Sequence, residues 1–287
     1  MFHVKQIRYK FEFLGLFLLL TFFRIFPWRL ASRMGGAILG LIGPRLATSR
    51  KAKRNIAMAL PDLDTDSVVT GMWAHLGRVL AEYPHLKTIA ANHTVIEDPH
   101  GVLDDLRDDG QPAILFSAHI GNWEVMPMTL LGQKNLTMHP VYRAPNNPDV
   151  DRLLHNYRTA GGQLTPYDKS HKGMIGLTRA LTAGQHIGML IDQKYNEGVE
   201  ADFFGHPAMT STAFIELCQR FDCPLVPGHI IRDGDGFRLQ ILPPLDTNRP
   251  VEDVLGEAHR LMEGWIRETP EQWLWLHRRW KDEAGEG

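Results

Sequence analysis

His119 and Glu124 stand five residues apart in the stretch Ala118-His119-Ile120-Gly121-Asn122-Trp123-Glu124. On one continuous helix that spacing would put the two side chains on different faces. An apolar run of strand length, Ala113–Ser117, comes before them, and a Gly-Asn pair breaks the pattern between them. The stretch therefore reads as a strand-to-helix junction, in which a residue at the strand end and one in the first helical turn can converge. Asn122 suits the N-cap position, and the positive end of the helix favours Glu124 as an anion. An ionised Glu124 bonded to one imidazole nitrogen fixes the tautomer and supports the imidazolium, leaving the other nitrogen to take a proton from an alcohol. A purely structural reading also stands, with His119 satisfying a backbone carbonyl and Glu124 capping a helix at the surface. Spacing alone leaves the two even.

Other polar residues fall where strands are expected to end. Arg143 follows the predicted strand Leu136–Tyr142, Asp192 and Gln193 follow His186–Ile191, and Arg232 follows Pro224–Ile231. In α/β sheets the carboxyl ends of strands form the crevice that binds ligands. Asn147 and Pro148 lead into a predicted helix, Asp149–Thr159, with Arg158 near its end. Each arginine taken singly is most simply solvated or salt-bridged; facing an anionic substrate together, several of them make a phosphate or oxyanion clamp. The chain lacks Gly-x-Ser-x-Gly, Gly-x-Gly-x-x-Gly, a Walker loop and His-Glu-x-x-His. Cys218 and Cys223 are separated by four residues, neither a metal or redox spacing nor a disulfide framework. These absences leave direct attack by an activated hydroxyl, with no metal and no cofactor expected.

Positioning such groups takes a sheet covered by helices. Helices are expected at Asn122–Leu131, Lys172–Thr182, Ser211–Phe221, Val251–Glu268 and Pro270–Lys281, alternating with the strands above and a further strand, Phe237–Leu242. The last two strands, joined through Arg232-Asp233-Gly234-Asp235-Gly236, read as a hairpin. The expectation is an α/β fold, a mixed central sheet flanked by helices. At 287 residues, 44% hydrophobic and 22% charged, the chain can bury the core that such a sheet needs. Phe203-Phe204-Gly205 offers a lining for an apolar pocket, with plain core as the ordinary alternative.

The net charge of −2 hides an asymmetry. Through Arg54 the chain carries eleven Lys and Arg against one acid, Glu12, a balance of +10, and the remainder carries −12. Among those basic residues lies the uncharged apolar run Phe13–Phe23, shorter than the roughly 20 residues a bilayer span needs. Residues 1–54 are accordingly expected to be a membrane-attachment segment with a hydrophobic anchoring helix, and residues 55–287 the soluble body.

The motifs form an ordered series: His119-Ile120-Gly121-Asn122-Trp123-Glu124, Tyr142-Arg143 with Asn147-Pro148, Arg158 before Gly161-Gly162, Asp192-Gln193, Phe203-Phe204-Gly205-His206-Pro207-Ala208, and Pro270-Glu271-Gln272-Trp273 through His277-Arg278-Arg279-Trp280. This series resembles the bacterial lipid A biosynthesis acyltransferases of the lysophospholipid acyltransferase superfamily, from the hydrophobic N-terminus to the Trp-rich end. The resemblance implies a glycerolipid acyltransferase-like fold and transfer of a fatty acyl chain from acyl carrier protein to a hydroxyl of a lipid A precursor. It places the reaction at the cytoplasmic face of the inner membrane. It further implies that His119 is the general base, that Glu124 orients it, and that Arg158 and Asp192 belong to the site. No nucleic-acid partner is implied. Relatives with the same dyad acylate other glycolipids, such as mannosylated phosphatidylinositol, and a non-catalytic lipid-binding relative would keep the same fold.

Overall fold

A computed structural model describes residues 2–159, 161–196 and 198–280. Its centre is a sheet of seven strands, built in chain order from β1 (Thr94–Glu97), β2 (Ile114–Ser117), β3 (Met138–Tyr142), β4 (Tyr167–Asp168) and β5 (His186–Leu190). Following a separate hairpin of β6 (Val199–Phe203) and β7 (His206–Thr210), β8 (Leu225–Asp233) and β9 (Gly236–Ile241) complete it. The order across the sheet is β1-β9-β8-β2-β5-β3-β4. Strands β8, β2, β5, β3 and β4 run parallel, so their carboxyl ends share one edge. The expected hairpin forms: β9 turns back on β8 through Gly234 and Asp235, with Gly234 at φ 55°, and β1 lies parallel to β9 at the sheet's rim.

Side chains alternate across a strand, and the sheet buries both faces. Ile114 and Phe116 of β2 point to one core, shared with α9 (His171–Thr182), α10 (Ala213–Phe221) and α11 (Val251–Glu268). Leu115 points to the other, shared with α5 (Leu86–Asn92), α6 (Val102–Asp108) and α7 (Met126–Lys134). The mixed α/β expectation thus describes the molecule, and α11 occupies the predicted residues.

Two expected helices differ. The helix placed at Asn122–Leu131 begins only at Met126, and Asn122 is not its cap. Asn122 is fully buried, with its amide donated to Glu82 at 2.8 Å, so its side chain serves a tertiary partner in place of the helix end. The helix placed at Pro270–Lys281 is a single 3₁₀ turn, Pro270–Gln272, followed by irregular chain as far as Trp280; Lys281 lies outside the described residues. Trp273 and Trp275, two apart, are both buried, as is Trp280. They cluster with Phe203 and Phe204. That spacing suits extended chain pressed into a core, and it makes Phe203-Phe204 core aromatics.

The N-terminal residues form two helices, α1 (Phe2–Arg24) and α2 (Trp28–Ile42), ahead of α3 (Ser49–Ala59) and α4 (Thr65–Glu82). Gly35 of α2 and Gly77 of α4 bring the two backbones together: a Cβ on Gly35 would lie 2.3 Å from the Gly77 carbonyl oxygen. Helix α1 buries Leu20 and Phe23, while Ile7, Phe11, Leu14, Phe17, Leu18 and Phe22 stay exposed; α2 exposes Ile38, Leu41 and Ile42. Among the described residues no helix is long and apolar enough to cross a membrane.

Candidate active site

Register across the middle of the sheet builds the site. Ser117 of β2 pairs with Leu190 of β5, so the residues two beyond each, His119 and Asp192, leave the shared edge side by side. Asp192 Oδ1 lies 2.7 Å from His119 Nδ1, and its Oδ2 accepts from the His119 backbone N–H at 2.9 Å and from Trp273 Nε1 at 2.8 Å. The carboxylate of Asp192 is wholly buried, and burial alone would raise its pKa. The charge of His119 and the hydrogen bonds from it, with help from His277, hold it well below the usual carboxylate range. An ionised carboxylate only accepts, so His119 carries a proton on Nδ1, and in the neutral ring Nε2 is the acceptor that faces outward. The Gln193 amide nitrogen sits 3.3 Å from His119 Nε2 and 3.4 Å from His277 Nε2, and the two imidazoles meet edge to face. Burial, then the nearby charge of His119, pushes the His277 pKa down to about 4, so that ring stays neutral.

The expected hydrogen bond from His119 to Glu124 is therefore replaced by one to Asp192. Glu124 faces a different partner: Arg158 donates Nε to Oε2 at 2.9 Å and a terminal nitrogen to Oε1 at 2.6 Å, and the Tyr83 hydroxyl donates to Oε1 at 2.6 Å. Burial opposes ionisation of Glu124, but Arg158 outweighs it and lowers the pKa. Burial and then the Glu124 charge raise that of Tyr83. Arg158 reaches this position because α8 (Pro148–Arg158) ends beside the turn.

The turn between His119 and Glu124 is held by three residues of α4 and its end. His75 Nε2 lies 2.9 Å from the Gly121 carbonyl oxygen, Glu82 binds Asn122, and Tyr83 binds Glu124. Gly121 has φ 57°, and a Cβ there would fall 1.8 Å from the Ile230 carbonyl oxygen, so no other residue fits. Glu82, with no exposed side-chain surface, is charge-paired with Arg232 at 2.8 Å.

Opening beside His119 is a cavity of about 170 Å³, room for on the order of ten water molecules. It follows the sheet face between β2, β5 and β3, where Leu115, Met138, Gly188 and Met189 are apolar, and its lip carries Arg143, Arg158, Lys169 and Gln193. An apolar trough ending at a base suits a long-chain acyl group better than a polar metabolite.

Residues 2–282 match the family model for bacterial lipid A biosynthesis acyltransferases. The chain belongs to that family. It is 33% identical over 149 residues to a lipid A biosynthesis lauroyltransferase of Escherichia coli, covering 49% of this chain and 47% of the relative, about half the length of each. It is 24% identical to a phosphatidylinositol mannoside acyltransferase of Mycolicibacterium smegmatis over 88% of both chains, and 28% identical to an E. coli lipid A biosynthesis palmitoleoyltransferase over 50% of this chain and 48% of the relative.

Within this acyltransferase-family chain the residues singled out from sequence part into two groups. His119, Glu124, Arg143, Arg158 and Gln193 line the cavity, with Asp192 directly behind His119. Asn147 does not: its side-chain oxygen caps α8, and its amide donates to the Tyr9 carbonyl and to Glu12 of α1. Arg232 is committed to Glu82 and to the ring of Phe237. The sequence reading did not place Tyr83, Trp273, His277 or Lys169 at the site. Trp273 and His277 carried a signal as members of the Trp-rich motif, whereas Tyr83 lies far along the chain from Glu124 and Lys169 follows β4, a strand of two residues that is too short to be read from sequence.

Proposed function

We propose that this protein transfers a fatty acyl group from acyl carrier protein to a hydroxyl of a lipid A precursor, at the cytoplasmic face of the inner membrane. The observation that carries the reading is His119 at the end of an apolar trough, with Nδ1 tied to the buried Asp192 and Nε2 turned to the cavity, where only the Gln193 amide approaches it among the described residues. His119 removes the acceptor's hydroxyl proton as that oxygen attacks the thioester carbonyl. The carbon–sulfur bond then breaks, and the departing thiolate takes the proton back from the imidazolium. Asp192 keeps the tautomer and stabilises the charged ring, and Arg158 in the cavity wall offsets the charge growing on the carbonyl oxygen. Glu124 serves the reaction by fixing Arg158 and Tyr83 in the cavity wall. A thioester has a good leaving group, so the scheme calls for no metal and no covalent acyl-enzyme.

The exposed apolar residues of α1 and α2, set among basic ones, support attachment by residues 1–54 lying in the membrane surface. The acyl-transferring body then comprises residues 55–287. A different glycolipid acceptor, such as a phosphatidylinositol mannoside, is the second reading, and the long alignment with the mycobacterial relative favours it.

Detergent-purified protein incubated with acyl-carrier-protein donors and each glycolipid, read by mass spectrometry, tests both. One added acyl group on the lipid A precursor, absent with His119→Ala, is expected. Near-normal turnover by His119→Ala, or free fatty acid as the sole product, overturns the transfer mechanism. A product formed only on the mannoside moves the acceptor to the second reading.

A further inference from the structure

Most charges around the cavity are matched. Arg158 faces Glu124, Arg232 faces Glu82, and His119 faces Asp192. Arg143 and Lys169 are the exceptions at the lip: among the described residues neither forms an ion pair with a carboxylate. Their placement follows from register. Tyr142 of β3 pairs with Asp168 of β4, so Arg143 and Lys169 are the next residues of two neighbouring parallel strands and emerge together. Adjacent strands lie about 4.8 Å apart, and like charges set side by side destabilise each other. Partial burial, together with Arg143 and against the pull of Asp192, lowers the pKa of Lys169. Both side chains nonetheless stay exposed at the lip, so solvent screens their mutual repulsion, and the pair stands open to an anion that bridges it.

We propose that Arg143 and Lys169 form a phosphate subsite at the lip of the cavity, gripping a phosphate ester of a substrate while its reacting group meets His119. The identity of that substrate rests on the acyl-transfer reading; the anion chemistry does not. The phosphate comes either from the glycolipid acceptor or from the phosphodiester of the carrier protein's prosthetic arm.

The first measurement needs no turnover. Full-length protein in detergent is treated with acetic anhydride, with and without inorganic pyrophosphate, and acetylation is followed by peptide mass spectrometry. Pyrophosphate is expected to slow modification of Lys169 severalfold while leaving the exposed Lys172 unaffected, and Arg143→Gln is expected to abolish the protection. The second measurement compares KM for each substrate with and without its phosphate: acceptor before and after phosphatase treatment, and donor as acyl carrier protein or as acyl-pantetheine. Lys169→Gln is expected to raise KM about tenfold or more for one phosphate-bearing substrate, as loss of a charged hydrogen bond implies. Its phosphate-free form is expected to show no such penalty, and that contrast names the source. Equal acetylation with and without pyrophosphate, or a KM penalty that persists without phosphate, overturns the subsite. A wild-type protein that protects Lys169 yet acylates no glycolipid would refute the acyl-transfer reading and uphold the anion site.

Discussion

Asp192→Asn probes the site through its hydrogen-bond directions. Oδ2 of Asp192 accepts two N–H groups, from the His119 backbone and from Trp273 Nε1, and Oδ1 faces His119 Nδ1. Both N–H groups are donors only, so the single oxygen of an Asn must take the Oδ2 position and its NH2 must face Nδ1. An NH2 donates, so Nδ1 becomes the acceptor and the imidazole proton moves to Nε2, where it blocks the nitrogen meant to take the hydroxyl proton. The imidazolium also loses its buried counter-charge. A wrong tautomer of this kind in a His–carboxylate pair costs on the order of 10⁴ in rate, about 5.5 kcal/mol at 1.36 kcal/mol per tenfold. Backbone and indole keep their acceptor, so the fold should persist. The assay is the initial rate of acyl transfer at saturating donor and acceptor, beside a thermal melt. The expected outcome is kcat lowered about 10⁴-fold with Tm little changed, whereas Asp192→Ala should lower both. A kcat within tenfold of wild type would refute the assignment of Asp192, and an equally deep loss confined to Glu124→Gln would return the orienting role to Glu124.

Glu82→Ala leaves the largely buried guanidinium of Arg232 and the amide of Asn122 without their acceptor. The expected destabilisation is about 3–5 kcal/mol, seen as a Tm lowered by roughly ten degrees, with Glu82→Gln losing less because it still accepts; a Tm unchanged in the alanine variant would show that the pair carries no weight. Acid should also unfold the protein early. Burial is the main cause that lowers the pKa of His75 and His229 to about 3 and of His259 to about 4, with Arg232, Arg238 and Arg279 respectively adding to it. The unfolded chain therefore takes up these protons first. The stability from keeping the rings neutral is complete above about pH 6.5 and falls by about 1.4 kcal/mol per pH unit for each His, down to its folded pKa. Melts from pH 7 to 4.5 should follow this slope. His229→Phe, which keeps a ring against Trp265 and removes two unpartnered nitrogens, should flatten it; a profile unaltered by that substitution would assign the acid sensitivity elsewhere.

How much of this architecture could be read from the chain depends on the range of the force that shapes each piece. Strand β2 and its exit were legible because an apolar run ends at a His and a Gly-Asn break, both local signals. Helix α11 was legible for the same reason, since its apolar positions recur at helical spacing and bury Val254, Leu255, Ala258, Met262 and Trp265. The start of α7 was not. Asn122 has the local chemistry of a cap, yet Glu82, 40 residues earlier, claims its side chain, and the chain makes a tight turn before Met126 begins the helix. The tryptophans after Pro270 likewise carry helix-compatible residues between them, and only the aromatic cluster they enter holds them extended.

The same distinction governs the contacts of His119. Its own surroundings mark it as a candidate base, and proximity in sequence points to Glu124, five residues away, as its carboxylate partner, whereas the structure sets Asp192, 73 residues away, against its Nδ1. In a parallel sheet that proximity is misleading: two residues beyond paired positions of adjacent strands are neighbours however long the connection between them, while residues five apart across a turn point where the turn sends them. Ser117 opposite Leu190 brings Asp192 to His119, and Tyr142 opposite Asp168 brings Lys169 to Arg143, by one rule of register applied twice along the same edge. Glu124 is then free to neutralise Arg158, which leaves Arg143 and Lys169 as the unmatched charge at the lip. The polar chemistry of the site is thus distributed by strand order: the base and its carboxylate at the middle of the sheet, the unpaired cations on the strands toward its rim, and the apolar trough running between them.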